Sequence, residues 1–546
     1  MWLVAAGAKR RNSKPLSIDN QANSVKFMTL IKNATIVNEG KIFKGSVLIE
    51  NEKIARIIPE EEKDLLDNIC CEKTVDVEGC ILMPGVIDTH VHFRDSGIAP
   101  EPGKEPAADF ATESRAAVAG GVTSVVDMPN TVPQTTSLEL LEAKERMAAE
   151  KSVVNYGFMV GATNDNIDHI LEIDPKRYAA IKLFLGSSTG NMLVNNAEVL
   201  DKLFKESKKL IVAHCESEDI IQANLRQYKA EYGNLTNEQL EAYNAKLMQE
   251  YELMKAEREE FPDSDAPSPN KPNLIQNLAE LHPMIRNTQA CYLSTYHAIE
   301  RALKYKTRLH IAHISTATEL GLLNSQPLTE KHITAEVTPN HLCFDSNDYK
   351  ELGNLIKCNP AIKTGDDRLA LWAALYDGLI DTVGSDHAPH PLVSKQKNFF
   401  EAPGGIPSIQ HELVMMLETF FNPASLEAEK EECGTADFSP LSSGLIKEWL
   451  PLIVEKMSHN PAMLFGIEGR GFIREGYYAD LVLVRPEVEQ TITRECLKYK
   501  CGWSPLVGMK FHTRVEKTFV NGNLAYDCQT PDAEYSNKGI QLIYSK

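Results

Sequence analysis

Residues 83–94 read MPGVIDTHVHFR. An apolar run, Val86-Ile87, leads into Asp88-Thr89-His90-Val91-His92, and Arg94 follows two positions later. In a strand, side chains i and i+2 share a face, so His90 and His92 present two imidazoles to one point. Two such imidazoles suit a divalent metal ion. One H-x-H pair also arises by chance on surfaces and in cores, so its meaning depends on what the neighbouring strands supply.

Reading outward, eight apolar β runs lie at 82–90, 122–128, 153–160, 180–185, 209–214, 308–313, 332–338 and 381–386. Helical stretches such as ADFATESRAAVAGG separate them. Strands alternating with helices build parallel sheets, and eight such units predict a TIM-type (β/α)8 barrel, with a doubly wound open sheet as the alternative. Several runs end on an ionisable group. Lys182 stands in AAIKLFLGSS, His214 in LIVAHCES, His313 in LHIAHIST and Asp386 in DTVGSDHAPH. Buried without partners, such groups are costly. Taken singly, each is more often a satisfied structural residue. Barrel active sites, however, are assembled at the C-terminal ends of several strands, and there these residues would converge with His90 and His92 on one mouth.

The chain ends have a different texture. TLIKNATIVNEG, GSVLIENEKIARI and TVDVEGCILMPG near the start, and YYADLVLVRP, RVEKTFVNGNLAY and GIQLIY near the finish, are short strands divided by turn residues. They predict a small β-sandwich domain made by both ends, residues 28–83 and 468–546, around a barrel at 84–467. Residues 1–27 are a polar extension, expected to be disordered. Two excursions, 225–281 and 421–448, exceed what a crossover needs. The first opens on a predicted helix over 225–258, with a Thr236/Gln239 capping pattern and Leu240, Tyr243, Leu247, Tyr251 and Met254 at helical spacing. It continues into a loop holding Pro262, Pro267, Pro269 and Pro272.

Composition narrows the classes. At 546 residues, 43% hydrophobic and 24% charged, the chain is globular rather than fibrous or disordered. A net charge of −19 argues against nucleic acid or an anionic membrane as the main partner, while saying nothing about small anions met by local Arg and His. Eleven cysteines without C-x-x-C spacing predict reduced thiols and a cytoplasmic setting. No apolar run reaches the ~18 residues a membrane helix requires.

The donor set suggests a two-metal hydrolase. Two divalent ions ~3.5–4 Å apart can activate water and polarise a carbonyl. Neutral imidazoles suit zinc, while cobalt and manganese accept the same donors. An anionic bridge is needed between the two ions, and a free ammonium cannot serve. Lys182 carboxylated by carbon dioxide would, and that chemistry requires the neutral amine that burial favours.

With these residues in hand, the chain resembles the cyclic amidohydrolases of the metal-dependent hydrolase superfamily, and among them the dihydroorotases. The matching text is MPGVIDTHVHFR, ESRAAVAGGVTSVVDMPNT, IKLFLGSSTGNM, VAHCES, HIAHIST, NPAIK, GSDHAPH, GYYADLVLV and TFVNG. The resemblance implies that His90, His92 and Asp386 hold one zinc ion, that His214 and His313 hold a second, and that N6-carboxylated Lys182 bridges them. It implies Asp386 as general base, passing a proton from the attacking oxygen to the leaving ring nitrogen. Arg94, Asn130 and His390 match positions that bind a substrate carboxylate. Asn359 and the backbone at Gly404 and Gly405 match positions that hold the ring amides.

The implied reaction is reversible hydrolysis of (S)-dihydroorotate to N-carbamoyl-L-aspartate in pyrimidine synthesis, by a homodimer or homotetramer. Allantoinases and hydantoinases are the alternative, and allantoinases typically carry asparagine where Arg94 stands. A catalytically silent scaffold is a remote third reading, since it should have lost metal donors. Two departures bear on substrate rather than metal: DSGIAPEPGKEP stands where dihydroorotases show E-P-G directly, and NPAIK replaces N-P-P-[LI]-R.

Overall fold

The computed structural model describes residues 27–95, 106–186, 192–260, 271–272, 274–422, 444–531, 533 and 537–545. The extension 1–26, the loop 96–105 and most of the second excursion lie outside them. The chain enters through β1 (Met28–Asn38), β2 (Lys41–Glu50) and β3 (Lys53–Pro59), an antiparallel meander. β4 (Lys73–Asp76) and β5 (Ile81–Pro84) then both pair with β1 in parallel.

Gly85 separates β5 from β6 (Val86–Val91), so the single run expected over 82–90 divides between two bodies. From β6 the βα alternation begins. β6, β7 (Val122–Asp127) and β8 (Asn155–Phe158) form a three-stranded parallel sheet. β9 (Val160–Gly161), β10 (Ile181–Phe184), β11 (Ile211–His214), β12 (Leu309–Ile311), β13 (Ile333–Val337) and β14 (Thr382–Val383) form a six-stranded parallel sheet in chain order. Nearly every residue of these strands is buried, which is why they read as continuous apolar runs.

The ladders leave two parallel sheets rather than one uninterrupted ring. On one side β8 passes into β9 across Met159. On the other, Val91 and His387 form an isolated parallel bridge, and the His92 N–H donates to the His387 carbonyl at 2.8 Å. The strand expected over 381–386 shortens to Thr382–Val383 because the chain turns at Asp386, whose φ is +46°.

Helices α1 (Phe110–Ala119), α2 (Leu138–Lys151), α3 (Ile167–Glu172) and α4 (Ala197–Glu206) fill the first crossovers. The helix expected over 225–258 is in fact two. α5 (Glu218–Tyr232) follows β11 directly, and the chain turns at Gly233 before α6 (Asn237–Glu260). The Gln239 side chain accepts the Thr236 N–H at 2.8 Å, so the capping residues start a second helix rather than continue the first. Only Leu240 of the α6 stripe is buried; Tyr243, Leu247 and Tyr251 are half-buried and Met254 is exposed. The Pro-rich stretch 262–269 lies outside the described residues.

The chain returns through β15 (Leu481–Thr491), β16 (Lys510–Val520) and β17 (Asn523–Asp527) to β5, completing an eight-stranded sheet shared by both ends. Residues 477–479 hydrogen-bond back to Glu52 and Ile54, drawing the sheet around a core of Ile31, Ile36, Val47, Leu82, Leu481 and Phe519. The last residues run under the parallel strands, where Leu542 and Tyr544 are buried. Among the described residues no helix is long and apolar enough to cross a membrane, and ten cysteines are free thiols.

Candidate active site at the strand ends

The C-terminal ends of the parallel strands frame a pocket lined by His90, His92, Arg94, Asn130, Lys182, His214, His313, Asn359, Asp386, Gly404 and Gly405. Of the residues singled out in the sequence, only His390 stands behind the wall rather than on it. Phe184 and Ala388, which the sequence did not single out, complete the lining.

Parity on β6 explains the first group. Asp88, His90 and His92 project to one side, and Asp88 ties that strand end to the turn after β14. Its carboxylate accepts the His90 N–H at 3.0 Å and the Ser385 N–H at 3.1 Å, and also accepts the Ser385 hydroxyl. Asp386 is thereby held against the pair, with Oδ1 at 3.1 Å from His92 Nε2 and 3.4 Å from His90 Nε2. Ligand atoms of His90, His92 and Asp386 all lie within 4.8 Å of one another. Across the pocket, His214 Nδ1 meets His313 Nε2 at 2.9 Å with the rings nearly perpendicular. His313 and His90 ring centroids are 5.3 Å apart, so the two groups adjoin.

Three of the four imidazoles are oriented from behind, whereas His313 Nδ1 is buried without a hydrogen-bond partner among the described residues. Glu336 on β13 lies 2.6 Å from His90 Nδ1, Asn130 Oδ1 lies 2.7 Å from His92 Nδ1, and Glu216 lies 2.9 Å from His214 Nε2. Glu216 is in turn paired with Arg286. Acceptors on the far ring nitrogen fix which nitrogen faces the pocket, as in metal sites. Burial lowers the pKa of His92 to about 4 and holds His214 and His313 below the usual imidazole range, so these rings are neutral and their lone pairs available. Burial would raise Asp386, but the adjacent His90 and His92 hold it below the ordinary carboxylate range.

Lys182 sits among these groups, fully buried, with its Nζ making no hydrogen bond and lying 5.2 Å from the Phe184 ring centroid. Burial lowers its pKa to about 8. An orphaned amine ringed by imidazoles and carboxylate is what a carbamate bridge between two cations would require, so the residues present fit a binuclear site. Asn359 Oδ1 is a second buried orphan in the pocket.

Arg94 closes one side. Its Nε donates to the Pro389 carbonyl at 3.0 Å and its Nη2 stands 3.4 Å from His390 Nε2. Among the described residues no carboxylate pairs with it, and burial lowers its pKa to about 10. Arg94, His313 and Asp386 all have positive φ (+55°, +39°, +46°). Such backbone strain, roughly 1–3 kcal/mol each, persists where surrounding structure enforces it. Lys363, in place of the expected arginine of NPAIK, is buried and braces the wall by donating to Ala361 O at 2.8 Å and Ser315 Oγ at 3.3 Å.

Sequence reasoning missed Glu336, Glu216, Arg286 and the bolting role of Asp88. Glu336 carried the same signal as Lys182, an ionisable residue inside a buried strand (ITAEV).

Residues 81–525 match the model of the amidohydrolase family, and the chain belongs to that family, whose members generally bind divalent metals. A dihydroorotase of Methanosarcina acetivorans is 30% identical over 491 residues, covering 88% of each chain. An allantoinase of Escherichia coli is 26% identical over 512 residues, covering 92% of this chain and 96% of that one. Among solved structures, the L-hydantoinase (dihydropyrimidinase) of Arthrobacter aurescens aligns with a TM-score of 0.73 at 23% identity, covering 95% of this chain and all of that one. The dihydropyrimidinase of Brevibacillus agri aligns at 0.70 and 22%, covering 94% and 96%. At those identities the structures establish a shared fold, a TIM barrel with a β-sandwich domain.

Proposed function

We propose that this chain is a dihydroorotase, hydrolysing the ring amide of (S)-dihydroorotate to N-carbamoyl-L-aspartate and catalysing the reverse closure. The observation that carries the reading is Arg94, a half-buried guanidinium on the pocket wall with no carboxylate partner among the described residues. A guanidinium fork matches a carboxylate bidentately. Dihydroorotate carries one, whereas hydantoin and allantoin rings do not.

His90, His92 and Asp386 would hold one divalent ion, His214 and His313 a second, with carboxylated Lys182 between, and zinc is the metal that donor set favours. Bound there, the ions would supply Lewis acidity toward the ring carbonyl and acidify water. The chain supplies the rest. Arg94 fixes the substrate carboxylate. The orphaned Asn359 Oδ1 accepts a ring N–H, and the Gly404–Gly405 backbone faces the other side of the ring. Asp386, ionised at neutral pH, takes a proton from the attacking water at Oδ1 and delivers it to the ring nitrogen as the amide opens. Glu336, Asn130 and Glu216 hold the imidazoles in register. We read the two parallel sheets, joined across Met159 and at Val91–His387, as one closed barrel with these groups at its mouth. The free thiols fit a cytoplasmic enzyme.

The test is turnover by purified, metal-replete protein of dihydroorotate beside allantoin, hydantoin and dihydrouracil. Preference for dihydroorotate supports the reading; preference for an uncharged ring assigns the chain to the allantoinase or hydantoinase side of the family instead.

A further inference from the structure

Behind the Gly404–Gly405 wall lie two lysines that no step above uses. Lys395 is fully buried, and its Nζ donates to three backbone carbonyls: Lys357 at 3.0 Å, Pro403 at 3.0 Å and Gly405 at 2.9 Å. Lys357 directs its Nζ to Phe399 O at 2.7 Å and Ala402 O at 2.6 Å. Its own carbonyl accepts the Gly405 N–H at 2.8 Å. Neither lysine has a carboxylate partner among the described residues. Burial draws both ammonium groups down to about 7. The carbonyl acceptors offset part of that cost, since an ammonium has three donors and no acceptor.

All but the Lys395–Lys357 contact involve one segment, 399–405, and that segment brings Gly404 and Gly405 to the pocket. The approach is close. A Cβ at Gly404 would stand 3.0 Å from the Asn359 side chain, and one at Gly405, where φ is +140°, would stand 2.4 Å from Ala388 O. The Gly404 carbonyl is also engaged by His390 Nε2 at 3.0 Å, and His390 lies beside Arg94. The Gly-Gly turn, Asn359 and Arg94 are therefore parts of one wall, and one buried and one half-buried lysine are directed at backbone carbonyls behind it.

We propose that Lys395 and Lys357 are positioning residues, a carbonyl clamp that sets the Gly404–Gly405 backbone at the distance from Asn359 that substrate binding needs. The inference rests on the reading of this wall as the ring-binding side. It places the clamp's contribution in substrate binding rather than in metal binding or proton transfer, because neither Nζ contacts His90, His92, Lys182, His214, His313 or Asp386.

Lys395→Met keeps the stem and removes the donors; Lys357→Met, at a half-buried position, does the same with less risk to folding. Both holoenzyme variants are measured by hydrogen–deuterium exchange over residues 398–406, by metal content and by steady-state kinetics on whichever cyclic amide the wild type turns over. Expected are exchange at 398–406 at least tenfold faster with other segments unchanged, unaltered metal content, KM raised at least tenfold and kcat within threefold. Unchanged exchange at 398–406 overturns the clamp, as does faster exchange with unchanged KM, or a loss confined to kcat and metal. Should the wild type turn over no cyclic amide, the proposed function fails, and the exchange measurement alone decides the clamp.

Discussion

Replacing Arg94 is the most informative perturbation of the substrate side. Asparagine is the replacement of choice, because Arg94 has φ of +55° and asparagine tolerates the left-handed region better than other polar residues. Its shorter side chain removes the guanidinium that faces the pocket while sparing the fold. In the folded protein that guanidinium gives one donor to Pro389 O and leaves its remaining fork without a carboxylate. A charge-assisted pair with a substrate carboxylate in a buried site is worth ~3 kcal/mol when one partner is removed. That corresponds to a fall of about 150-fold in kcat/KM for dihydroorotate. The assay follows ring opening by loss of ring absorbance, with metal content and thermal midpoint measured on the same preparation. The loss should fall mainly on KM. Arg94→Asn should act no worse than wild type on dihydrouracil, which has no carboxylate to lose. A reduction below fivefold on dihydroorotate, or an equal loss on the uncharged ring, would refute the carboxylate-binding role.

Other expectations follow from groups behind the pocket. Glu336→Gln should weaken metal binding about 10–100-fold by removing the carboxylate behind His90, read by chelator competition, with most activity returning in excess metal. Glu216 has its pKa lowered to about 2, where burial opposes ionisation but Arg286 and His214 favour it. The unfolded chain therefore takes up this proton first, and the contribution, complete above about pH 4.5 and of the order of 3 kcal/mol, is lost as pH falls toward 2. The stability gap between wild type and Glu216→Gln in urea unfolding should accordingly shrink between pH 5 and 3; a gap independent of pH would count against it. At Gly157 on β8, a Cβ would fall 1.8 Å from the Tyr544 hydroxyl oxygen, so Gly157→Ala should destabilise by ~1–3 kcal/mol. The penalty should be smaller in a Tyr544→Phe background, and additive losses in that double-mutant cycle would show the contact to be unimportant.

The strands were legible because both faces of each are covered, leaving continuous apolar runs in which a terminal His, Lys or Asp stands out. His90, His92, Lys182, His214, His313 and Asp386 were found by that contrast, and the pocket brings all six together. What stayed hidden depends on partners distant in the chain. The His90–Glu336 contact spans 246 residues, and Glu216–Arg286 spans 70, so no local pattern announces either. The break between α5 and α6 was masked by a helical period that runs on past Gly233, although the capping residues at Thr236 already marked a fresh start. Asn130, matched to a carboxylate-binding position, does line the pocket; that its side-chain oxygen also lies 2.7 Å from His92 Nδ1 is a contact that residue type does not encode. The acceptors of the Lys357 and Lys395 clamp are backbone carbonyls, which every residue carries and no sequence distinguishes.

The central claim, that one strand-end pocket holds a binuclear centre bridged by Lys182, is tested most directly by counting metal. Protein reconstituted with zinc and bicarbonate, then freed of loose ions and measured by elemental analysis, should retain about two ions per chain, and Lys182→Ala should retain one or fewer. A wild-type protein that keeps none, or a Lys182→Ala variant that keeps as much as wild type, would contradict the account.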